Sequence, residues 1–134
     1  MEKMRLLLAD DNPHVLLMLA CLLSDEDRIV GTVPDGRALL TAAAELRPDI
    51  VISDIDMPGV NGLEAASQLR ELLPNTKVIL MSGHDDSDHV ARAFAAGAYA
   101  FVSKGQVGDL RTTFNEIIRN ALARPAFEEL VGLA

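Results

Sequence analysis

Short runs of apolar residues alternate along the chain with longer segments in which apolar residues recur at helical spacing. The runs have the length of buried β-strands, and they occupy residues 6–9, 29–33, 50–53, 78–81 and 99–103. After each run, apolar residues return every third or fourth position, which predicts an amphipathic helix. Five strands that are each followed by a helix predict an α/β fold, in which helices cover both faces of a doubly wound parallel sheet.

Polar, proline and glycine residues mark the expected ends of the helices. Asn12 followed by Pro13 is typical of an N-cap and a first helical residue. Asp35 precedes the second helix and Pro48 follows it. Gly97 is expected to cap the fourth helix at its C-terminus.

Length and composition fit one cytoplasmic domain. The chain has 134 residues, of which 49% are hydrophobic, and this is enough for a single buried core. Its formal net charge of -8 disfavours direct binding to nucleic acid. Cys21 is the one cysteine, so no internal disulfide can form and a reducing compartment is expected. The apolar runs are too short to cross a bilayer, and the first residues lack the pattern of a signal peptide, so no membrane partner is expected.

The residues that follow four of the five strands carry the candidate chemistry. Ligands of open parallel sheets bind beyond the carboxyl ends of the strands. The polar side chains at those ends are Asp10 and Asp11 after the first strand, Asp54 and Asp56 after the third, Ser82 and His84 after the fourth, and Lys104 after the fifth. A single Asp there is commonly a helix cap and a single Lys a solvated group, so the joint placement is what indicates a site.

The residue types predict a magnesium-dependent phosphoryl acceptor. Clustered carboxylates repel each other and need a cation, and oxygen ligands suit Mg²⁺ rather than zinc. We expect Asp11 and Asp54 to bind Mg²⁺ directly and Asp10 to bind it mostly through water. A carboxylate beside Mg²⁺ can attack a phosphoryl group and form an acyl phosphate. The metal, Lys104 and the hydroxyl of Ser82 would share the charge of the phosphoryl oxygens.

Four segments of the chain resemble the receiver domain of two-component response regulators. They are the acidic pair at 10–11, DIDMPGVNG at 54–62, MSG at 81–83 and AGAYAFVSK at 96–104. The resemblance covers about residues 4–121, so residues 1–121 are predicted to form the receiver domain and residues 122–134 a C-terminal tail or the start of a linker. It also implies the flavodoxin-like (βα)5 topology, with strand order 2-1-3-4-5.

The resemblance implies a signalling switch rather than an enzyme. Asp54 would accept phosphate from a sensor histidine kinase or a histidine phosphotransfer protein, or from small donors, and would dephosphorylate itself. The backbone carbonyl of Asp56 would be a further Mg²⁺ ligand. Ser82 and Phe101 would be the switch pair. The face of helix 4, strand 5 and helix 5 would change when Asp54 is phosphorylated. Asp56 and His84 would tune the lifetime of the phosphoryl group, with protonated His84 pairing with Asp56. The simpler alternatives are that Phe101 is an ordinary packed aromatic residue and that His84 is a solvated loop residue.

Gly105 follows Lys104 at a position where many receivers have proline. Because a cis bond before a non-proline residue costs about 3–4 kcal/mol, we predict a trans Lys104–Gly105 peptide. A non-proline residue here resembles receivers that precede helix-turn-helix domains. The expected partners therefore include a DNA-binding output domain outside this chain, while a stand-alone receiver is the alternative.

The strongest rival hypothesis is a haloacid-dehalogenase-type phosphatase that uses Asp54 and Asp56. Its Asp-x-Asp motif also follows a buried strand. That family usually has Thr or Val where this chain has Pro58, and it lacks the pair at Asp10 and Asp11. A docking module that works without phosphorylation is a third hypothesis, which the complete set of site residue types disfavours.

The first helix is predicted to be apolar on both sides. Val15, Leu19 and Leu22 can face the sheet, whereas Leu17 and Cys21 fall on the opposite side by helical geometry. An apolar outer patch indicates a docking surface for a kinase or for a second copy of the chain, that is, a homodimer. Scattered exposed residues, or cover by a neighbouring element, would explain the same pattern.

Overall fold

The computed structural model describes residues 3–84, 86–105 and 109–123. Strands and helices alternate along them in the predicted order. The strands are β1 (Arg5–Ala9), β2 (Arg28–Val33), β3 (Ile50–Asp54), β4 (Lys77–Ser82) and β5 (Ala100–Ser103). The helices are α1 (Pro13–Leu23), α2 (Gly36–Leu46), α3 (Gly62–Leu72), α4 (Ser87–Ala95) and α5 (Leu110–Ala123).

All strand pairs of the sheet are parallel, in the order β2-β1-β3-β4-β5. This order confirms the predicted flavodoxin-like topology. Ala9 of β1 pairs with Ser53 of β3, and Asp54 pairs with Met81 of β4. The register therefore brings the carboxyl ends of β1, β3 and β4 to the same edge of the sheet.

Two apolar layers sandwich the sheet. One layer packs α1 and α5 against it through Leu19, Phe114 and Ile118, all fully buried. The other layer packs α2, α3 and α4 against the opposite face through residues such as Leu39 and Leu69. Since successive side chains of a strand point to opposite faces, the central strands contribute to both layers and read as continuous apolar runs.

The helix ends follow the sequence signals closely, with one shift. The side chain of Asn12 accepts a hydrogen bond from the backbone N–H of His14 at 2.9 Å, and Pro13 is the first helical residue. At the end of α4 the cap is Ala96, one residue before the predicted cap. Gly97 comes next, with a φ of 104° that favours glycine, so it reverses the chain just beyond the helix.

The last helix runs two residues past the predicted domain end at residue 121, to Ala123. The rest of the predicted tail, residues 124–134, lies outside the described residues. Among the helices of the described segments, none is both long enough and apolar enough to span a membrane.

Candidate functional site

Three carboxylates meet at the carboxyl edge of the sheet. Asp54 ends β3, and Asp10 and Asp11 follow β1 directly. One oxygen from each of the three lies within 4.8 Å of the others. Asp10 is fully buried and Asp54 is 4% exposed, whereas Asp11 is open to solvent. The structure thus brings together three of the four acidic residues singled out in the sequence, while the exposed Asp56 is not part of this cluster.

Lys104 joins this cluster from the end of β5. Its Nζ lies 2.9 Å from Oδ2 of Asp10 and 3.2 Å from Oδ2 of Asp54. Its backbone N–H donates to the carbonyl oxygen of Ser82 at 2.8 Å, which fixes the start of the loop. The Lys104–Gly105 peptide is trans, as predicted. Burial alone would lower the pKa of Lys104, but its contacts with Asp10 and Asp54 outweigh burial and raise the pKa, so the ammonium stays charged.

The environment of Asp54 raises its pKa. Burial is the largest cause, and the neighbouring charge of Asp10 adds to it. The charge and hydrogen bond of Lys104 and the backbone N–H of Asp56 oppose the increase without cancelling it. Asp54 therefore holds its proton to higher pH than a free Asp does.

Asp54→Asn is expected to raise the free energy of unfolding of the metal-free protein at neutral pH by about 1–3 kcal/mol. A carboxyl group whose pKa is raised by folding stabilises the fold in its protonated form, and this contribution is lost as pH rises through the folded pKa. The advantage of Asp54→Asn should therefore shrink as pH falls and vanish below 3.8, the ordinary pKa of the group. Thermal melts in EDTA over a range of pH measure the difference.

Glu71→Gln is the matched control for this measurement, because Glu71 is an exposed carboxylate on α3. We expect it to change stability by less than about 0.5 kcal/mol. Mg²⁺ should stabilise the wild type more than Asp54→Asn, since it binds the folded site. If Asp54→Asn melts below the wild type in EDTA and Mg²⁺ stabilises both proteins equally, Asp54 does not share a cation site.

The donor set of the cluster fits a divalent cation. The three carboxylates face the single ammonium of Lys104, so the fully ionised cluster keeps two negative charges that this lysine does not offset. The clustered donor atoms are all oxygens, the ligands that Mg²⁺ prefers. Residues Asp10, Asp11 and Asp54 could therefore hold such an ion.

Ser82 and Phe101 lie on neighbouring strands beside the cluster. Ser82 ends β4 and is fully buried, and its Oγ accepts a hydrogen bond from the backbone N–H of His84 at 3.0 Å. Phe101 pairs with Leu80 across β4 and β5. Its half-buried ring packs against the layer of α2, α3 and α4. The hydroxyl and the ring thus belong to adjacent strands at the site edge.

None of the described ion pairs joins His84 to Asp56, and the pairing expected when His84 is protonated stays a prediction. Both side chains are exposed. The ring of His84 stacks on His89, in the first turn of α4, with ring centroids 5.1 Å apart. Nδ1 of His89 lies 2.9 Å from Oδ2 of Asp86, the N-cap of the helix, and Asp86 has a lowered pKa through the backbone and side-chain hydrogen bonds of His89. Sequence spacing gave no signal for this stack, because a loop joins the two histidines.

Gly62 holds the segment after Asp54 close to β3. Its backbone N–H donates to the carbonyl oxygen of Ile55 at 2.8 Å. A Cβ at this position would lie 2.2 Å from the carbonyl oxygen of Asp54, so any side chain would push α3 away from the site. Within the segment at residues 54–62, this close contact explains why position 62 is a glycine.

The comparisons with known proteins agree with this architecture. The family model of the response regulator receiver domain matches residues 6–115. The transcriptional regulatory protein DctD of Pseudomonas aeruginosa, for C4-dicarboxylate transport, is 40% identical over 100 residues, which are 75% of this chain and 22% of that protein. The transcriptional activator protein ExaE of Pseudomonas putida is 35% identical over 128 residues, which are 94% of this chain and 58% of that protein. This chain therefore belongs to the response regulator receiver family.

A solved structure supports the same assignment. The response regulator domain of Thermotoga maritima CheB superposes with a TM-score of 0.82 at 27% identity, over 92% of this chain and 99% of that one. The chain is a receiver domain of two-component signalling, and the phosphatase hypothesis finds no support in these relatives. Receiver domains bind Mg²⁺ at an acidic cluster, and the described residues contain such a cluster. The chain spans less than two thirds of the length of either curated relative named above.

Proposed function

We propose that Asp54 accepts a phosphoryl group from a sensor histidine kinase or a histidine phosphotransfer protein, and that the domain also phosphorylates itself from small donors and dephosphorylates itself. The observation that supports this is the position of Lys104, whose Nζ lies 3.2 Å from Oδ2 of Asp54 within the carboxylate cluster. The lysine can meet a phosphoryl oxygen at the point where the new bond forms.

Asp54 is the best acceptor among the three clustered carboxylates. Asp10 is fully buried, and both of its oxygens are engaged: Oδ1 accepts from the backbone N–H of Asn12 at 2.9 Å, and Oδ2 pairs with Lys104 at 2.9 Å. Asp11 is exposed, without a described ion pair that fixes it. Asp54 combines a fixed position with a raised pKa, and a more basic carboxylate is a stronger nucleophile once ionised.

Asp11 and Asp54 would hold Mg²⁺ directly, Asp10 through water, and the backbone carbonyl of Asp56 would complete the protein ligands. Bound there, the ion would supply positive charge for the phosphoryl oxygens. An oxygen of Asp54 attacks phosphorus, the bond from phosphorus to the donor breaks, and its electron pair leaves with the donor. Lys104 balances the charge of the phosphoryl group that remains.

Ser82 and Phe101 would couple the phosphoryl group to the surface. The Ser82 hydroxyl can turn its O–H toward a phosphoryl oxygen, and the half-buried ring of Phe101 can move into the space behind it. The face that would change consists of α4, β5 and α5. It already presents Phe94, 50% exposed, and Tyr99, 36% exposed.

A DNA-binding output domain is the proposed reader of that face. DctD and ExaE are transcriptional regulators by name, and each is longer than this chain. We also propose a cytoplasmic location. The receiver domain is proposed to end at about residue 121, because signalling to an output domain needs a compact receiver that is joined to it by a linker.

Incubation with acetyl phosphate and Mg²⁺ tests the proposal. Intact mass spectrometry is expected to show one phosphoryl adduct per chain, which EDTA prevents and which decays with time because acyl phosphates hydrolyse. Continuous release of phosphate from stable phosphate esters, without an adduct, would favour a phosphatase instead. Absence of any adduct at high donor and Mg²⁺ concentration would contradict the proposal outright.

His84→Ala is expected to speed the loss of phosphate by about 2- to 10-fold, less than the effect of removing a general acid or base. The side chain lies two residues after Ser82 and, by resemblance, beside the path of the attacking water, so its removal should open that path. Decay of the adduct between about pH 6 and pH 8 measures the effect.

His89→Ala is the comparison for His84→Ala, because it removes the other ring of the stack and leaves the position beside Ser82 intact. We expect a smaller change in the rate of decay. A His84→Ala protein with the decay rate of the wild type at every pH would end the idea that this residue tunes the lifetime.

A further inference from the structure

Ser53 is a fully buried hydroxyl residue that directly precedes the proposed acceptor. Successive side chains of a strand point to opposite faces, so Ser53 shares a face with Val51, which belongs to the apolar layer of α2, α3 and α4. A hydroxyl in such a layer costs free energy unless it is hydrogen-bonded. The Oγ of Ser53 donates to the backbone carbonyl oxygen of Asp54 at 2.9 Å. The hydroxyl is thus satisfied by the main chain of the residue that carries the proposed chemistry.

The peptide unit between Asp54 and Ile55 is held at both of its polar ends. Its carbonyl oxygen, which belongs to Asp54, accepts the hydrogen bond of Ser53. Its N–H, which belongs to Ile55, donates to the carbonyl oxygen of Met81 at 2.9 Å. Gly62 fills the space beside the carbonyl oxygen, since a Cβ at that position would lie 2.2 Å from it. Two hydrogen bonds and one close contact therefore fix the orientation of this peptide plane.

The orientation of this peptide plane determines how two groups of the site lie relative to each other. The carboxylate of Asp54 is on one side of it, and the backbone of Asp56 follows on the other. The N–H of Asp56 forms a hydrogen bond with the side chain of Asp54, and the carbonyl of Asp56 is a proposed Mg²⁺ ligand. Rotation of the peptide would displace the carboxylate from that carbonyl, and a displacement of about 1 Å can cost about 100-fold in rate at a catalytic site.

We propose that Ser53 is a positioning residue of the site, whose hydroxyl holds the peptide after Asp54 so that the carboxylate of Asp54 and the carbonyl of Asp56 face the same Mg²⁺. This inference rests on the proposed function of Asp54. Ser53 touches neither the ion nor the phosphoryl group, because its side chain lies on the face of β3 opposite to the side chain of Asp54. It acts through the backbone, as a supporting partner outside the ligand shell acts on a metal ligand.

Ser53→Ala is expected to raise the Mg²⁺ concentration for half-maximal labelling by acetyl phosphate by about 10-fold, the lower end of the usual effect of losing a supporting partner. The adduct should still form, because the carboxylate of Asp54 remains. Calorimetric titration with Mg²⁺, without any phosphoryl donor, should show a similar increase in the dissociation constant of the ion. Ser53→Cys keeps nearly the same volume and a weak S–H donor, so its increase should be smaller.

Thr76→Val is the matched control, because it removes the same kind of hydrogen bond far from the site. The Oγ1 of Thr76 donates to the carbonyl oxygen of Pro48 at 2.7 Å. Thr76 precedes β4 and Pro48 precedes β3, so the bond lies at the amino edge of the sheet. Thermal melts in EDTA should show that Ser53→Ala and Thr76→Val both lose stability. Only Ser53→Ala should change the affinity for Mg²⁺.

Two results would overturn the proposal. The first is a Ser53→Ala protein that binds Mg²⁺ and takes the label as the wild type does. The second is a Thr76→Val protein whose affinity for Mg²⁺ falls as far as that of Ser53→Ala, since a general loosening of the fold would then explain both. If Ser53→Ala does not fold, Ser53→Cys replaces it, and an unchanged affinity for Mg²⁺ in that variant counts against the proposal in the same way.

Failure of the proposed function gives a different result. If the wild type binds Mg²⁺ but takes no label, Asp54 is not a phosphoryl acceptor. The calorimetric comparison of Ser53→Ala with Thr76→Val then still decides whether Ser53 positions the ligands of the ion. A wild type that binds no Mg²⁺ would overturn the role of Ser53 together with the proposed metal site.

Discussion

Asp54→Asn is expected to abolish the phosphoryl adduct that forms with acetyl phosphate and Mg²⁺. The amide keeps the size of the side chain but removes the nucleophilic carboxylate. Neither neighbour can replace it efficiently. Asp10 is buried with both oxygens engaged, and Asp11 is exposed at the solvent side of the cluster. Intact mass after a long incubation measures the remaining adduct.

Asp11→Asn is the control that separates loss of the acceptor from loss of a metal ligand. Asp11 is expected to bind Mg²⁺ without taking the phosphoryl group. The variant should therefore still form the adduct, but only at a Mg²⁺ concentration more than about 10- to 100-fold higher, because the loss of a direct ligand should cost more than the loss of an outer-shell partner. Labelling of Asp54→Asn at the rate of the wild type would identify another carboxylate as the acceptor.

Lys104→Ala is expected to slow formation of the adduct by about 100-fold at saturating Mg²⁺. The lysine is held 2.9 Å from Asp10 and 3.2 Å from Asp54, so its charge is in place before the donor arrives. Alanine removes that charge from the phosphoryl oxygens in the transition state. It also leaves buried Asp10 without its described ion-pair partner, which raises the repulsion at the site. The rate constant for labelling by acetyl phosphate measures the effect.

Lys77→Ala controls for the loss of a lysine as such. Lys77 begins β4, at the edge of the sheet away from the site, and its Nζ lies 5.9 Å from the centre of the Tyr99 ring. We expect no change in the rate of labelling. If Lys104→Ala is labelled as fast as Lys77→Ala, the proposed role of Lys104 in phosphoryl transfer is wrong, and its part is limited to holding the two carboxylates.

The strands, the helices and the position of the site at the carboxyl edge of the sheet could be predicted, because all of them depend on short segments of sequence. Strand β3 is buried at all five positions, and its three apolar residues at 50–52, followed by Ser53 and Asp54, mark it in the sequence. Strand β4 is two residues longer than its apolar run, since Lys77 and Ser82 at its ends carry no apolar signal. Once the strands are known, parallel pairing places the residues after them at one edge.

The contacts that the sequence did not predict join distant or irregular segments. Arg119 of α5 donates a hydrogen bond to Asp27, 92 residues earlier, and Asp27 also accepts from the backbone N–H of Met4. No periodicity connects such positions. The stack of His84 on His89 depends on the path of a loop, which propensity rules do not fix. The pairing of protonated His84 with Asp56 therefore stays a prediction beside this stack.

Because Lys104 contributes to the site from the last strand, only a long segment of the chain carries all the residues of the site. Asp10 lies near the beginning of the fold and Lys104 near its end, with Asp54 between them. Any continuous piece of chain that contains all three must also contain most of the sheet. Recombination of genes can therefore move this chemistry only as a whole module, whereas a nucleotide-binding loop can be recognised in one short stretch of sequence.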